Sequence, residues 1–167
     1  EKKYQDAIKL INDALVVLPS NTALSDAKKE YESYTPVYLT TMDYFDYKGE
    51  MCIDDFDTMQ DNFGTSYAHS LFILDYYNEC YVTYLLNGNY SILNLTVAVP
   101  YDNRAAEYFG DFKIYADDQL VFSSEKMTSG SAIQPVLLDV TGVQQLKLVW
   151  GDSGYLNDAA MATIWDA

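Results

Sequence analysis

Leu93-Asn94-Leu95-Thr96-Val97-Ala98-Val99 alternates large apolar residues with small or polar ones. An extended chain points successive side chains to opposite faces. This period of two therefore predicts a strand with Leu93, Leu95, Val97 and Val99 on a core and Asn94, Thr96 and Ala98 on the other side. The signal recurs at residues 112–116, 120–122, 136–140 and 146–150, and the runs are separated by Asp117-Asp118, Ser129-Gly130 and Thr141-Gly142. Asp and Gly tolerate positive φ or hydrogen-bond their own backbone, so the chain is expected to reverse at those separators. Many short strands with regular turns, and no helical period between them, predict a mainly β fold, an antiparallel β-sandwich or jelly roll. Further upstream, Tyr38-Leu39-Thr40-Thr41-Met42-Asp43-Tyr44 is expected to begin the β region, and Lys113 and Lys147 to face water.

Before residue 36 the period is helical. Ala7, Leu10, Ile11, Ala14, Leu15 and Leu18 recur at spacings of three and four, which is the stripe of a helix packing one face on a partner. Pro19-Ser20-Asn21 ends it, and Ala23, Leu24, Ala27 and Tyr31 continue in a second helix that stops before Thr35-Pro36. Residues 1–35 thus read as an N-terminal helical hairpin and residues 36–167 as the β domain. Tyr4-Gln5-Asp6-Ala7-Ile8 followed by Pro19-Ser20-Asn21 resembles the end of a tetratricopeptide-type array, though one hairpin equally suits a plain helical linker or stalk.

The chain has 167 residues, enough to bury a core without staples, and its apolar content of 49% with 21% charged residues is that of a folded protein. A net charge of −15 repels phosphate backbones and anionic headgroups, which argues against nucleic acid or an acidic membrane as partner and leaves neutral sugars unaffected. The sixteen tyrosines suit a β protein with partly exposed aromatic faces. Cys52 and Cys80, with a single histidine, make no zinc ligand set; a disulfide and two buried thiols both remain open. No run approaches the length of a membrane span, and the first residues do not form a signal peptide, so export or anchoring is expected to lie in the parent chain.

Several segments, in order, resemble the NPCBM family of novel putative carbohydrate-binding modules. They are Tyr38-Leu39-Thr40-Thr41-Met42-Asp43; Gly64-Thr65-Ser66-Tyr67-Ala68-His69-Ser70-Leu71; the hairpin from Phe112 through Asp117-Asp118 to Ser124; Met127-Thr128-Ser129-Gly130; and Leu138-Asp139-Val140-Thr141-Gly142 leading to Leu146-Lys147-Leu148. The resemblance implies a galactose-binding-like sandwich and a non-catalytic carbohydrate-binding module of a bacterial surface or secreted protein, serving at most as an accessory module of a larger enzyme. The implied partner is a glycan or oligosaccharide, with upstream helical repeats or an anchor in the parent chain. The implied location is extracellular or at the cell surface, with membrane or wall anchoring supplied by that parent. Two departures stand out: Asp118 occupies a usual glycine position, and Asn157-Asp158-Ala159-Ala160-Met161-Ala162 replaces the family's closing Asp-His-Ala-Asp-Trp. The alternative reading is a structural or protein-interaction sandwich that has lost its sugar site.

Sugar recognition needs rings that stack on the C–H faces of a pyranose and polar side chains that exchange hydrogen bonds with hydroxyls. Asp152, Tyr155, Asn157 and Asp158 offer both kinds in one loop, which could equally be an ordinary polar hairpin loop. His69 could bond a hydroxyl or be a satisfied strand-edge histidine, and Tyr67 could be a stacking platform or core. Asp54, Asp55, Asp57 and Asp61 form an acidic cluster whose spacing does not fit an EF-hand; a solvated loop is the plainer reading, and a structural calcium elsewhere is left open. No cofactor is required by this pattern. Neither a nucleophile elbow, a His-Glu-x-x-His pair nor a phosphate-cradling glycine loop is present, so an enzyme is not expected. Asn89-Tyr90-Ser91 and Asn94-Leu95-Thr96 match the glycosylation sequon, which matters only in a eukaryotic secretory pathway.

Overall fold

Helix α1 (Lys2–Val17) stops one residue before Leu18-Pro19, since proline cannot supply the next backbone donor, and helix α2 (Thr22–Glu32) starts after Asn21. Asn21 caps α2: its Oδ1 accepts from the Leu24 amide at 3.1 Å, satisfying one of the four unpaired donors of a helix start. The two helices pack together through a narrower seam than the apolar pattern suggested. Ile11 is buried and Ala7, Ala14 and Leu15 are half-buried, whereas Leu10 and Leu18 are exposed. A single eleven-residue partner covers only one stripe of α1, so the rest of its apolar face stays open.

The computed structural model describes residues 2–32, 35–54, 59–74, 80–101, 110–151 and 164–165, and only the backbone of 2–5, 50–54, 72–74 and 164–165. The chain divides into two units, Glu1–Val37 and Tyr38–Ala167. Among the described residues of the second unit lie strands β1 (Asp46–Lys48), β2 (Glu50–Asp54), β3 (Met59–Gln60), β4 (Ser66–Tyr67), β5 (Ser70–Leu74), β6 (Cys80–Leu85), β7 (Ile92–Val97), β8 (Phe112–Ala116), β9 (Gln119–Ser123), β10 (Gln134–Asp139), β11 (Gln145–Trp150) and β12 (Ile164–Trp165). One layer is the antiparallel sheet β1-β6-β11-β8-β9. The other is built from the pair β10-β7 and the sheet β12-β5-β2, with β12 against β7. The ribbon β3-β4 stands beside them.

Register explains the core. Across β6, β11 and β8 the rows Tyr84-Leu146-Ala116, Val82-Leu148-Ile114 and Cys80-Trp150-Phe112 face inward, and Leu93, Leu95, Val97 and Val136 meet them from the opposite layer. Most of these side chains are almost fully closed to solvent, each contributing about 1.5–3 kcal/mol of burial energy for the larger ones. The alternation predicted at Leu93, Leu95 and Val97 is present, but Ala98, expected on the outer side, is buried as well, because β7 has ended at Val97. Lys113 and Lys147 are half-buried rather than free in water: Lys113 pairs with Asp111 at 2.7 Å, and the Lys147 ammonium lies 4.0 Å from the Tyr81 ring centre. The β8–β9 hairpin turns through Asp117 (φ 47°) and Asp118 (φ 64°), two consecutive left-handed residues as a tight hairpin of this twist demands. The Asp117 carboxylate accepts from the amides of Gln144 and Gln145 at 3.0 and 2.8 Å and so pins this hairpin to the start of β11.

The segment expected to open the β region is not a strand. Leu39–Thr41 forms a turn of 3₁₀ helix, with the Thr41 hydroxyl on the Tyr38 carbonyl at 2.8 Å and the Met42 amide on the Leu39 carbonyl at 3.2 Å. In that geometry residues three apart share a face, which puts both Leu39 and Met42 against the core. Strand pairing begins only at Phe45, whose amide donates to the Thr83 carbonyl at 2.8 Å.

Candidate functional site

The sequence between β3 and β5 carries two of the candidate residues, and the loop is built around one buried acid. Asp61 is fully closed to solvent. Its Oδ1 accepts from the amides of Phe63 and Thr65, both at 2.9 Å, and its Oδ2 accepts from the Tyr67 hydroxyl at 2.9 Å. Burial alone pushes the Asp61 carboxyl up, but the donors from Thr65, Tyr67 and Phe63 together outweigh it and hold its pKa below the ordinary carboxylate value. Gly64, at φ +87°, lets the chain turn between the two donating amides. Next door, Asn62 donates through Nδ2 to the carbonyls of Ser129 and Ser131 at 2.8 and 2.9 Å, tying this loop to the Thr128–Ser131 turn. Tyr67 is therefore half-buried with its hydroxyl held by Asp61.

His69 stands two residues on, immediately before β5. Its half-buried imidazole stacks on Tyr38 with ring centres 3.5 Å apart and planes 18° from parallel. Tyr38 is the first residue of the β unit and leads into the 3₁₀ turn that packs against β5. The stack covers one face of the imidazole and fixes its plane, while its nitrogens make no hydrogen bond among the described residues. They are thus placed to exchange hydrogen bonds with a hydroxyl. Two buried hydroxyls lie beside the stack in sequence, Thr40 Oγ1 and Ser70 Oγ, and neither has a hydrogen-bond partner among the described residues. Ser70 also pairs in register with Trp165 of β12, bringing the backbone of that tryptophan next to the His69 strand.

Asp152, Tyr155, Asn157 and Asp158 lie outside the described residues, as do Asp55, Asp57 and the side chains of Asp54 and Cys52. Gly151, the last described residue before Asp152, is tightly held. Gly151 donates its amide to the Asp111 carbonyl at 2.7 Å, and a Cβ on Gly110 would collide with the Gly151 carbonyl oxygen. Among the described residues no group of three His, Cys, Asp or Glu side chains gathers to hold a metal. Asp61, once grouped with the acidic cluster, is committed to its own loop. Sequence reasoning missed Tyr38 as the partner of His69 and Asp61 as the anchor of Tyr67; the Asp-x-x-Gly spacing of Asp61 and Gly64 was the signal available for the second.

The NPCBM/NEW2 domain matches residues 63–167. The chain belongs to the NPCBM family. Tyr38 and Asp61 precede the matched NPCBM region, although they hold two of its side chains. Solved structures agree on the fold. The CBM51 from Clostridium perfringens GH95, solved in complex with methyl-galactose, is similar with a TM-score of 0.64 and 24% identity, over 80% of this chain and 98% of that one. CBM51-2 with the INT domains of Clostridium perfringens ZmpB, in complex with GlcNAc, gives a TM-score of 0.62 at 17% identity, covering 78% of this chain and 31% of that longer one. Tandem CBM51 modules of a family 98 glycoside hydrolase from Streptococcus pneumoniae give 0.59 at 13% identity, over 78% and 47%. No curated protein compared with the chain matches it.

Proposed function

We propose that this carbohydrate-binding module takes a neutral oligosaccharide at the Tyr38–His69 stack, without breaking or making a bond. The observation that carries the reading is the imidazole held flat by Tyr38, its nitrogens without a hydrogen bond among the described residues, on a chain of the NPCBM family. Asp152, Tyr155, Asn157 and Asp158 are proposed to complete the site, with Tyr67 positioned through Asp61. The net charge of −15 favours neutral over anionic glycans. The sugar-bound neighbours, solved with methyl-galactose and with GlcNAc, supply the ligands to try first. In its parent protein the module would act outside a bacterial cell, alongside an anchor or an enzyme, with α1 and α2 joining it to upstream helices.

Affinity per site is expected to be weak, in the millimolar range, because desolvating hydroxyls nearly cancels the hydrogen bonds gained. Calorimetric titration with methyl galactoside, N-acetylglucosamine and their oligosaccharides, with and without calcium, tests the reading. His69→Ala and Tyr155→Ala should each weaken binding about tenfold, the equivalent of roughly 1.4 kcal/mol. Absence of binding by the unmodified chain across this set, or unchanged affinity in both variants, refutes it.

A further inference from the structure

A second aromatic surface follows the 3₁₀ turn in the same unit, and neither Tyr38 nor His69 lines it. Met42, Asp43, Tyr44, Phe45 and Leu85 line an open groove of about 380 Å³. Phe45 is 63% exposed, Tyr47 47% and Tyr44 42%, three aromatic rings within four positions where the chain enters the edge strand β1. They are not loosely held. The Phe45 amide is bonded to Thr83, Asp46–Lys48 pairs with β6, and Met42 packs against the core, so the rings project from a rigid rail. Tyr44 and Tyr47 meet edge to face at 5.1 Å, which fixes the Tyr44 plane.

The carboxylates along this rail differ in their commitments. Asp46 accepts from the Tyr81 hydroxyl at 3.0 Å and from the Tyr47 amide at 2.9 Å. Asp43, on the groove itself, has no hydrogen bond or ion pair among the described residues. Among the described residues the buried Tyr84 hydroxyl, on the strand that ends at Leu85, has no hydrogen-bond partner either. Flat rings beside an uncommitted acceptor suit a ligand with one apolar face and hydroxyls at its edge. The short, charged strand β1 discourages strand pairing by a second copy, and the net charge disfavours anionic ligands.

We propose that the groove formed by Met42–Phe45 and Leu85 is a second carbohydrate site, with Phe45 and Tyr44 stacking on the C–H face of a neutral pyranoside and Asp43 accepting from its hydroxyls. This rests on the glycan-binding reading of the chain and adds a second point of attachment, which raises the avidity for a glycan-dense surface without any stronger single contact.

The test is an amide chemical-shift titration of the ¹⁵N-labelled full chain with methyl galactoside, N-acetylglucosamine and neutral oligosaccharides. The expected result is saturable shifts at Asp43, Phe45 and Leu85 in addition to those near His69. Phe45→Ala, an exposed position that leaves the core intact, and Asp43→Ala should each weaken the response at the groove about tenfold and leave the His69 response unchanged. Shifts confined to His69 and its neighbours overturn the second site and leave the first standing. Groove shifts that follow protein concentration without sugar overturn it in favour of self-association. A silent titration throughout overturns both readings.

Discussion

Asp61→Ala tests how the loop between β3 and β5 is held. In the native chain one carboxylate receives three donors in a position closed to solvent. Hydrogen bonds to a charged acceptor contribute about 1.5–3 kcal/mol each, so three would give an upper limit of roughly 5–9 kcal/mol. The real loss is smaller for two reasons. Removing the carboxylate also removes its desolvation penalty, and Phe63 and Thr65 are exposed, so their amides can turn to water. About 2–4 kcal/mol is therefore expected for Asp61→Ala, and about 1–2 kcal/mol for Asp61→Asn, which keeps an acceptor for the two amides. The pH dependence separates charge from shape. The folded pKa of Asp61 lies below its ordinary value of 3.8, so its ionised form stabilises the fold above the unfolded pKa, and that stabilisation is lost as pH falls through the lower, folded value. The gap between the native chain and Asp61→Asn should be full at neutral pH and shrink below a pH of about 4. Urea denaturation followed by tryptophan fluorescence, repeated from neutral to acid pH, reads both effects. An Asp61→Ala midpoint equal to that of the native chain, or a native–Asn gap that does not change with acid, would refute the account.

Trp150→Ala, at the centre of the row Cys80-Trp150-Phe112, should cost about 3–5 kcal/mol in urea denaturation followed by circular dichroism, because it removes a fully buried indole that meets Phe112 edge to face at 5.1 Å. Asp118→Gly should raise the melting temperature, by the equivalent of about 0.5–1 kcal/mol, since Asp118 holds φ 64° and its side chain, unlike that of Asp117, makes no hydrogen bond among the described residues.

The strands that sequence made legible are those with one wet face. Phe112, Ile114 and Ala116 alternate with half-buried Lys113 and Tyr115, so the period of two is written in residue polarity. In β6 the signal is masked, because Thr83 on the outer face is nearly as buried as Val82 on the inner one. The segment from Tyr38 to Tyr44 misled for a different reason: its threonines and tyrosines favour strands, while the decisive feature was the spacing of three between Leu39 and Met42. His69 was found as a rare residue in a familiar loop. Its partner Tyr38 was beyond reach, since thirty-one positions separate them and only the folded sheets bring the rings together. The role of Asp61 was hidden by the company of Asp54, Asp55 and Asp57, which made a structural acid look like one more charge in a solvated run.

The close approach of Gly110 and Gly151 has an evolutionary implication. These residues flank two long segments, 102–109 and 152–163, and hold their roots at one clamped junction bonded through Asp111. The clamp joins the start of β8 to the end of β11, where the strand register is already set. On the proposed glycan-binding reading, a lineage that exchanges residues in these segments would inherit the scaffold unchanged, provided both glycines are retained.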